Sequence, residues 1–249
     1  PSLLARFEQC GIVPRDEMQR TFCDIAENQR GELRVGIAYT RGRAILPGIL
    51  EAFAGVYPNV RVILTEERNH TLQNLLHEGR VDLAIARFQK PLPGIEVQPF
   101  YTEDTVLLVS RQLLQTCGID LAAHRTEIER GDLRSLRGCP FVSGSAEDIT
   151  GSLERDAFRR AGFVPEVRAE SSNVETLLEL CARGVGACFC PENLARLLLA
   201  AQPHGRLEML RMPDTMAYPI SFGYAKRAYP WSVLADFIRI ARAQYPQPT

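Results

Sequence analysis

Arg87 closes the run Val81-Asp82-Leu83-Ala84-Ile85-Ala86 and is followed by Phe88. A charged residue at the end of an otherwise apolar strand must face a polar cleft or an internal partner, because unpaired buried charge is rare. A guanidinium at such a place can hold a carboxylate through paired hydrogen bonds. Similar chemistry is available at Tyr39-Thr40-Arg41, which follows another apolar strand, and at Asn69-His70-Thr71, which opens a helix. Hydroxyls, amides and the unpaired N–H groups of a helix start all suit an anion. Thr40, Thr71 and Asn69 are equally suited to capping those helices, and Arg41 to a solvated position. Further along, Ser143-Gly144-Ser145, Asn173-Val174 and Phe189-Cys190 lie at strand ends or helix starts and would form a second wall, with Phe189 also suited to plain core.

Catalytic patterns do not accompany these donors. The four histidines, His70, His77, His124 and His204, show no H-E-x-x-H spacing. There is no G-x-S-x-G elbow, no P-loop and no G-x-G-x-x-G after the first strand. The chain is therefore expected to bind rather than to catalyse, without cofactor or metal.

The elements that must position these residues are written in the hydrophobic period. Leu33 to Ala38 alternates as a strand, Ala44 to Val56 repeats at helical steps with Pro47 near its start, and Val60 to Thr65 is a second strand. Thr71 to Glu78 is a second helix closed by Gly79, and Val81 to Ala86 a third strand. Strands alternating with helices imply parallel pairing, hence an α/β layer fold whose ligands sit beyond the carboxyl ends of the strands.

The second half repeats the pattern. A strand ends at Ser143, a helix runs from Ile149 to Ala161, and a strand covers Glu166 to Glu170. Ser172-x-x-Glu175 reads as a capping box, Val185 to Cys190 as a short buried strand, and Pro191 as a helix start. Leu207 to Leu210 and Ile220 to Tyr224 are further strands, and the last helix runs from Pro230 to about Ala243.

In their order and spacing, Gly31 to Gly36, Leu46 to Val60, Leu75 to Ile85, Phe158 to Pro165 and Leu177 to Pro191 resemble the effector-binding domain of LysR-type transcriptional regulators. The resemblance implies two Rossmann-like lobes joined by two crossover segments, similar to type 2 periplasmic binding proteins, with a small organic or aromatic acid bound in the cleft. It also implies a homodimer, extending to a tetramer in the full-length protein, built on the exposed side of the Ala44 to Val56 helix. DNA would be contacted only through a winged helix-turn-helix domain absent from this chain. Residues 1–30 read as a partial linker helix or extension, with Arg15 to Gln29 at helical spacing, and residues 31–249 as the effector domain. The crossings fall near Val109 to Arg111 and Met212 to Tyr218, giving lobe I as 31–109 with 218–249 and lobe II as 110–217.

Composition agrees. The 249 residues are 45% hydrophobic with a net charge of −1, which supplies a core but no basic surface for nucleic acid. No apolar run is long enough for a membrane span. Seven cysteines, odd in number and irregularly spaced, favour reduced thiols and a cytoplasmic protein. Two alternatives stand beside the regulator: a free-standing solute-binding protein of the same fold, and a cysteine-based redox sensor of the kind some LysR-type regulators are. For the latter, the nearest pair, Cys188 and Cys190, is read as pointing to opposite sides of its strand.

Overall fold

The computed structural model describes residues 31–201, 205–226 and 231–245. The expected linker helix from Arg15 to Gln29 lies outside them. In chain order the first elements are β1 (Gly31–Ile37), α1 (Tyr39–Val56), β2 (Val60–Glu66), α2 (Asn69–His77), β3 (Leu83–Ala86), β4 (Ile95–Glu103) and β5 (Thr105–Ser110). They are followed by α3 (Arg111–Thr116), α4 (Leu121–Glu129), β6 (Pro140–Gly144), α5 (Ile149–Ala161), β7 (Glu166–Ser171) and α6 (Val174–Ala182). The chain closes with β8 (Cys188–Pro191), α7 (Glu192–Ala201), β9 (Leu207–Arg211), β10 (Tyr218–Ala225) and α8 (Ser232–Gln244).

These elements form two compact units: one ends at Tyr101 and resumes at Ile220, the other is Thr102–Pro219. The first division falls upstream of the Val109 to Arg111 crossing read from the sequence. β5 explains the difference: it is buried throughout and pairs with β8 on one side and β9 on the other, so it belongs wholly to the second unit. The polar run Thr102-Glu103-Asp104-Thr105 marks this crossing in the sequence, just ahead of the apolar stretch of β5.

The first unit is built on a five-stranded sheet in the order β2-β1-β3-β10-β4. β1 is parallel to β2 and β3, and β10 returns antiparallel to β3. Alternation along β1 divides the helices between the faces. Gly36 faces α2, where an added Cβ would lie 2.9 Å from Leu72, and the Leu72, Leu75 and Leu76 stripe packs on Val81, Ala84 and Ala86. Ile37 faces α1, whose Phe53 meets Phe237 of α8 edge to face at 5.2 Å. Upstream of β3 the ladder continues through side chains: the buried Asp82 carboxylate accepts from the Arg34 backbone N–H, from Nε at 3.1 Å and from Nη2 at 3.0 Å. Asp82 N–H donates in turn to the Arg34 carbonyl.

In the second unit β8-β5-β9 and β6-β7 are separate ladders, joined by a parallel bridge between Phe141 and Ala187 just before β8. Gly186 permits that approach, since a Cβ there would lie 2.6 Å from the Phe141 carbonyl carbon. Reading across the bridge gives β7-β6-β8-β5-β9, with β6 and β7 parallel and β5 antiparallel to β8. This matches the first unit strand for strand. The core is built on Phe141 and Phe189, stacked on each other with Phe158 edge-on to both, and is covered by Leu113, Leu114, Ile128, Leu133 and Leu136 from the α3 and α4 region.

Several local expectations change. The helix expected from Ala44 begins at Tyr39, because Ala38 is its N-cap and its carbonyl already accepts from Arg41 and Gly42 N–H. Pro47 thus sits inside the helix on its exposed side, where the lost backbone bond faces solvent. The N-cap of α6 is Asn173, not Ser172: Asn173 Oδ1 accepts from Glu175 N–H at 3.0 Å. Pro191 ends β8 and α7 starts at Glu192.

Candidate functional site

At the carboxyl ends of the first unit's parallel strands, β1 leads into Tyr39-Thr40-Arg41, β2 leads to Asn69-His70-Thr71, and β3 leads into Arg87-Phe88. The order β2-β1-β3 is that of doubly wound sheets whose ligand crevice opens beyond the β1 and β3 ends. Tyr39 is 60% exposed, Thr40 half-buried and Arg41 buried, all in the first turn of α1. Gly42 lies beside them against the end of β2: a Cβ there would come 2.6 Å from the Glu66 carboxylate and displace that side chain.

Asn69 and Thr71 do not cap α2. Its N-cap is Arg68, without a side-chain cap bond. Asn69 Oδ1 instead accepts from Arg87 N–H at 3.0 Å, and Gln73 Nε2 donates to the Arg87 carbonyl at 2.9 Å. Both polar groups of the Arg87 peptide are therefore spent on α2, which fixes where the half-buried Arg87 side chain leaves the sheet. His70 is exposed and its Nε2 lies 3.4 Å from Thr71 Oγ1. Phe88 packs on Gly223 of β10, where a Cβ would come 2.2 Å from the ring.

In the second unit the run Ser143-Gly144-Ser145 also sits at a strand end, its first two residues closing β6, but Ser143 is buried. Its hydroxyl donates to Glu154 Oε1 at 2.6 Å, and Gly144 N–H bonds the same carboxyl. Burial pushes the Glu154 carboxyl up to about 7, against the opposite pull of those two hydrogen bonds. The first turn of α5 approaches closely here, since a Cβ on Gly151 would lie 2.2 Å from the Ser145 carbonyl oxygen. Ser145 Oγ accepts from Glu147 N–H at 3.4 Å. Asn173 is occupied as the α6 cap, with Val174 half-buried beside it.

Phe189 and Cys190 are not at a rim. Phe189 stacks parallel to Phe141 in the core and Cys190 is wholly buried, because β8 runs through the middle of its sheet. Cys188 and Cys190 are two residues apart and share a face of β8, contrary to the sequence reading. Their thiols are neighbours, and the Cys190 contact together with burial holds the Cys188 thiol well above its usual range. Burial and the adjacent Cys117 push Cys139 up to about 12, and burial raises Cys181. Cys117, Cys139, Cys181, Cys188 and Cys190 are all unbridged, and burial disfavours the reactive thiolate at Cys139, Cys181 and Cys188.

Gln73, Glu154, Gly151 and Gly223 act at these rims although the sequence did not single them out. A signal existed for two of them. Glu154 falls on the apolar face of α5 with Ala157 and Phe158, and Gly223 interrupts a buried strand. Among the described residues no group of His, Cys, Asp and Glu is arranged to hold a metal, and no helix is long and apolar enough to cross a membrane.

The LysR substrate binding domain model matches residues 26–246. Among curated relatives, the uncharacterised HTH-type transcriptional regulator YcgK of Bacillus subtilis is 25% identical over 74% of this chain and 60% of its own length. The nitrogen assimilation regulatory protein nac of Klebsiella aerogenes is 24% identical over 85% of this chain and 65% of its own. The chain thus spans somewhat over half the length of the regulators it matches. Among solved structures, the C-terminal domain of a probable LysR family regulator from Rhodococcus sp. RHA1 has a TM-score of 0.64 at 22% identity, covering 85% of this chain and 98% of that one. The effector-binding domain of QuiR in complex with shikimate has a TM-score of 0.64 at 18% identity, covering 86% and 97%. These likenesses carry the two-lobed fold similar to periplasmic binding proteins, and with the matched model they show that the chain belongs to the LysR substrate-binding domain family.

Proposed function

We propose that this domain senses a small acidic metabolite, organic or aromatic, and that the rim of the first unit holds its charged end. The observation carrying this reading is the convergence at the β1 and β3 ends of Arg41, Arg87 and the first turn of an 18-residue helix. Guanidinium groups and helix N-termini both favour a carboxylate. The hydrogen bonds from Asn69 and Gln73 hold the Arg87 backbone in place before any ligand arrives. Asn69, His70 and Thr71 flank the same rim, and Ser143, Gly144, Ser145, Asn173 and Val174 of the second unit are proposed as further contacts. A structurally similar domain holding shikimate, itself a small acid, supports the class of ligand.

In this reading the domain acts by shifting its own conformational equilibrium, in the cytoplasm, and DNA is bound by residues outside this chain. It is a regulatory module rather than an enzyme. Self-association is proposed through apolar positions on two edge strands and their neighbours: Val56 and Leu64 in the first unit, Val164 and Val167 in the second. The buried, unbridged thiols favour metabolite sensing over redox sensing.

A thermal-shift screen against carboxylic acids and their neutral amides tests the ligand class. Stabilisation by an acid and not by its amide is expected, whereas a response to neutral compounds alone would move recognition away from Arg41 and Arg87. Sedimentation at micromolar concentration tests the assembly, with a dimer expected and a persistent monomer counting against it.

A further inference from the structure

We propose that Glu154 is a positioning residue whose proton decides whether the Ser143 hydroxyl is a free donor at the end of β6. This rests on the reading of Ser143 to Ser145 as effector contacts and adds a control to it. Glu154 is 3% exposed, and its carboxyl is held by Ser143 Oγ at 2.6 Å and by Gly144 N–H. Both donors come from β6, and the close approach of Gly151 to the Ser145 carbonyl keeps α5 against them. The charged and titratable groups facing Glu154 are Arg155 on its own helix, Glu170 of β7 and the Cys188 thiol of β8.

Hydrogen-bond inventory sets what each state can do. A serine hydroxyl has one proton to donate. When Glu154 is a carboxylate it can only accept, so it consumes that proton, and it also places a negative charge directly behind the rim. When Glu154 takes a proton from solvent, its own O–H can donate to Ser143 Oγ, and the serine proton is released toward a ligand. Both differences favour an anionic ligand in the protonated state. Burial that raises this carboxyl to about 7 places the exchange in the neutral range.

The test uses this chain labelled with ¹³Cβ-serine and ¹⁵N-glycine, followed by NMR from pH 5.5 to 8.5. Ser143 Cβ and Gly144 N–H are expected to titrate on one common curve in the wild type and to stay flat in Glu154→Gln, whose amide mimics the protonated acid. A flat wild type, or the same inflection in Glu154→Gln, would overturn the proposal. Should that variant not fold, Ser143→Ala decides: losing one donor to the carboxylate must move the Gly144 inflection to higher pH, and an unmoved inflection refutes the link. Benzoate, ionised across this range, then separates this proposal from the effector reading. If only the protonated form binds it, wild-type affinity falls about tenfold between pH 6 and pH 8, and Glu154→Gln binds equally at both. Benzoate and shikimate failing to bind at either pH would count against the effector reading of the rim, while the NMR titration still decides the role of Glu154.

Discussion

The two units share a strand order yet fasten their rims by different chemistry. In the first, an amide side chain on each side of Arg87 holds the backbone, and the Arg34 and Asp82 pair locks β1 to the chain entering β3. In the second, the end of β6, the counterpart of β1, is fastened by a buried carboxyl that burial pushes up to about 7. The ends of β1 and β3 carry Arg41 and Arg87, whereas the ends of β6 and β8 carry hydroxyls, glycine and Pro191. On the proposed reading, one topology would offer charge recognition from one half and hydroxyl donors under proton control from the other.

The strongest way to break this contrast is Asp82→Ala. Its side chain is 1% exposed and paired with Arg34, and removing one partner of such a pair costs about 3 to 5 kcal/mol. Urea denaturation should show that loss, and a midpoint within error of wild type would remove the pair from the account.

Second in size is the pH response of stability. The Glu154 carboxyl is raised from 4.5 to about 7 in the folded chain, so its contribution is fully present below about 4.5 and is lost as pH rises through about 7. At 1.36 kcal/mol per unit this is about 3 kcal/mol. Urea titrations at pH 5 and pH 8 should show the decline in wild type and a shallower one in Glu154→Gln. Equal slopes would place the buried charge elsewhere.

Smaller effects sharpen the first rim. Gly223→Ala drives a methyl into the Phe88 ring and should cost about 1 to 3 kcal/mol, with Phe88→Leu in the same chain recovering part of it. Asn69→Ala removes one acceptor from Arg87 N–H, at about 1 kcal/mol, and should speed amide exchange at Arg87 while leaving Gly144 unchanged. Faster exchange at both would mean that the rims are not independent.

Much of this architecture is legible in the residues. Helical spacing locates α5 from Ile149 to Ala161, and the left-handed Gly162 stops it there. Strand periodicity found β2 and β7 to within a residue. Failures occur where tertiary contacts override local signals. Asn69 looks like a cap but spends its side chain across space on Arg87, and Pro47 looks like a helix start but lies inside α1. Of the candidate contacts, those after β1, β2 and β3 gather at one rim, while Phe189 and Cys190 turn inward because a short apolar strand looks alike at a rim and in a core. Glu154 and Ser143 are eleven positions apart, and no local pattern joins them.

The most direct measurement is calorimetric titration of the best acid from the screen into wild type and Arg87→Ala. Ligand at a hundred times its dissociation constant should add about 2.7 kcal/mol to wild-type stability, a shift of several degrees. The account predicts at least tenfold weaker binding by Arg87→Ala, about 1.4 kcal/mol, with the ligand-free domain still folded. Equal affinity in the two proteins would contradict charge recognition by the first unit's rim.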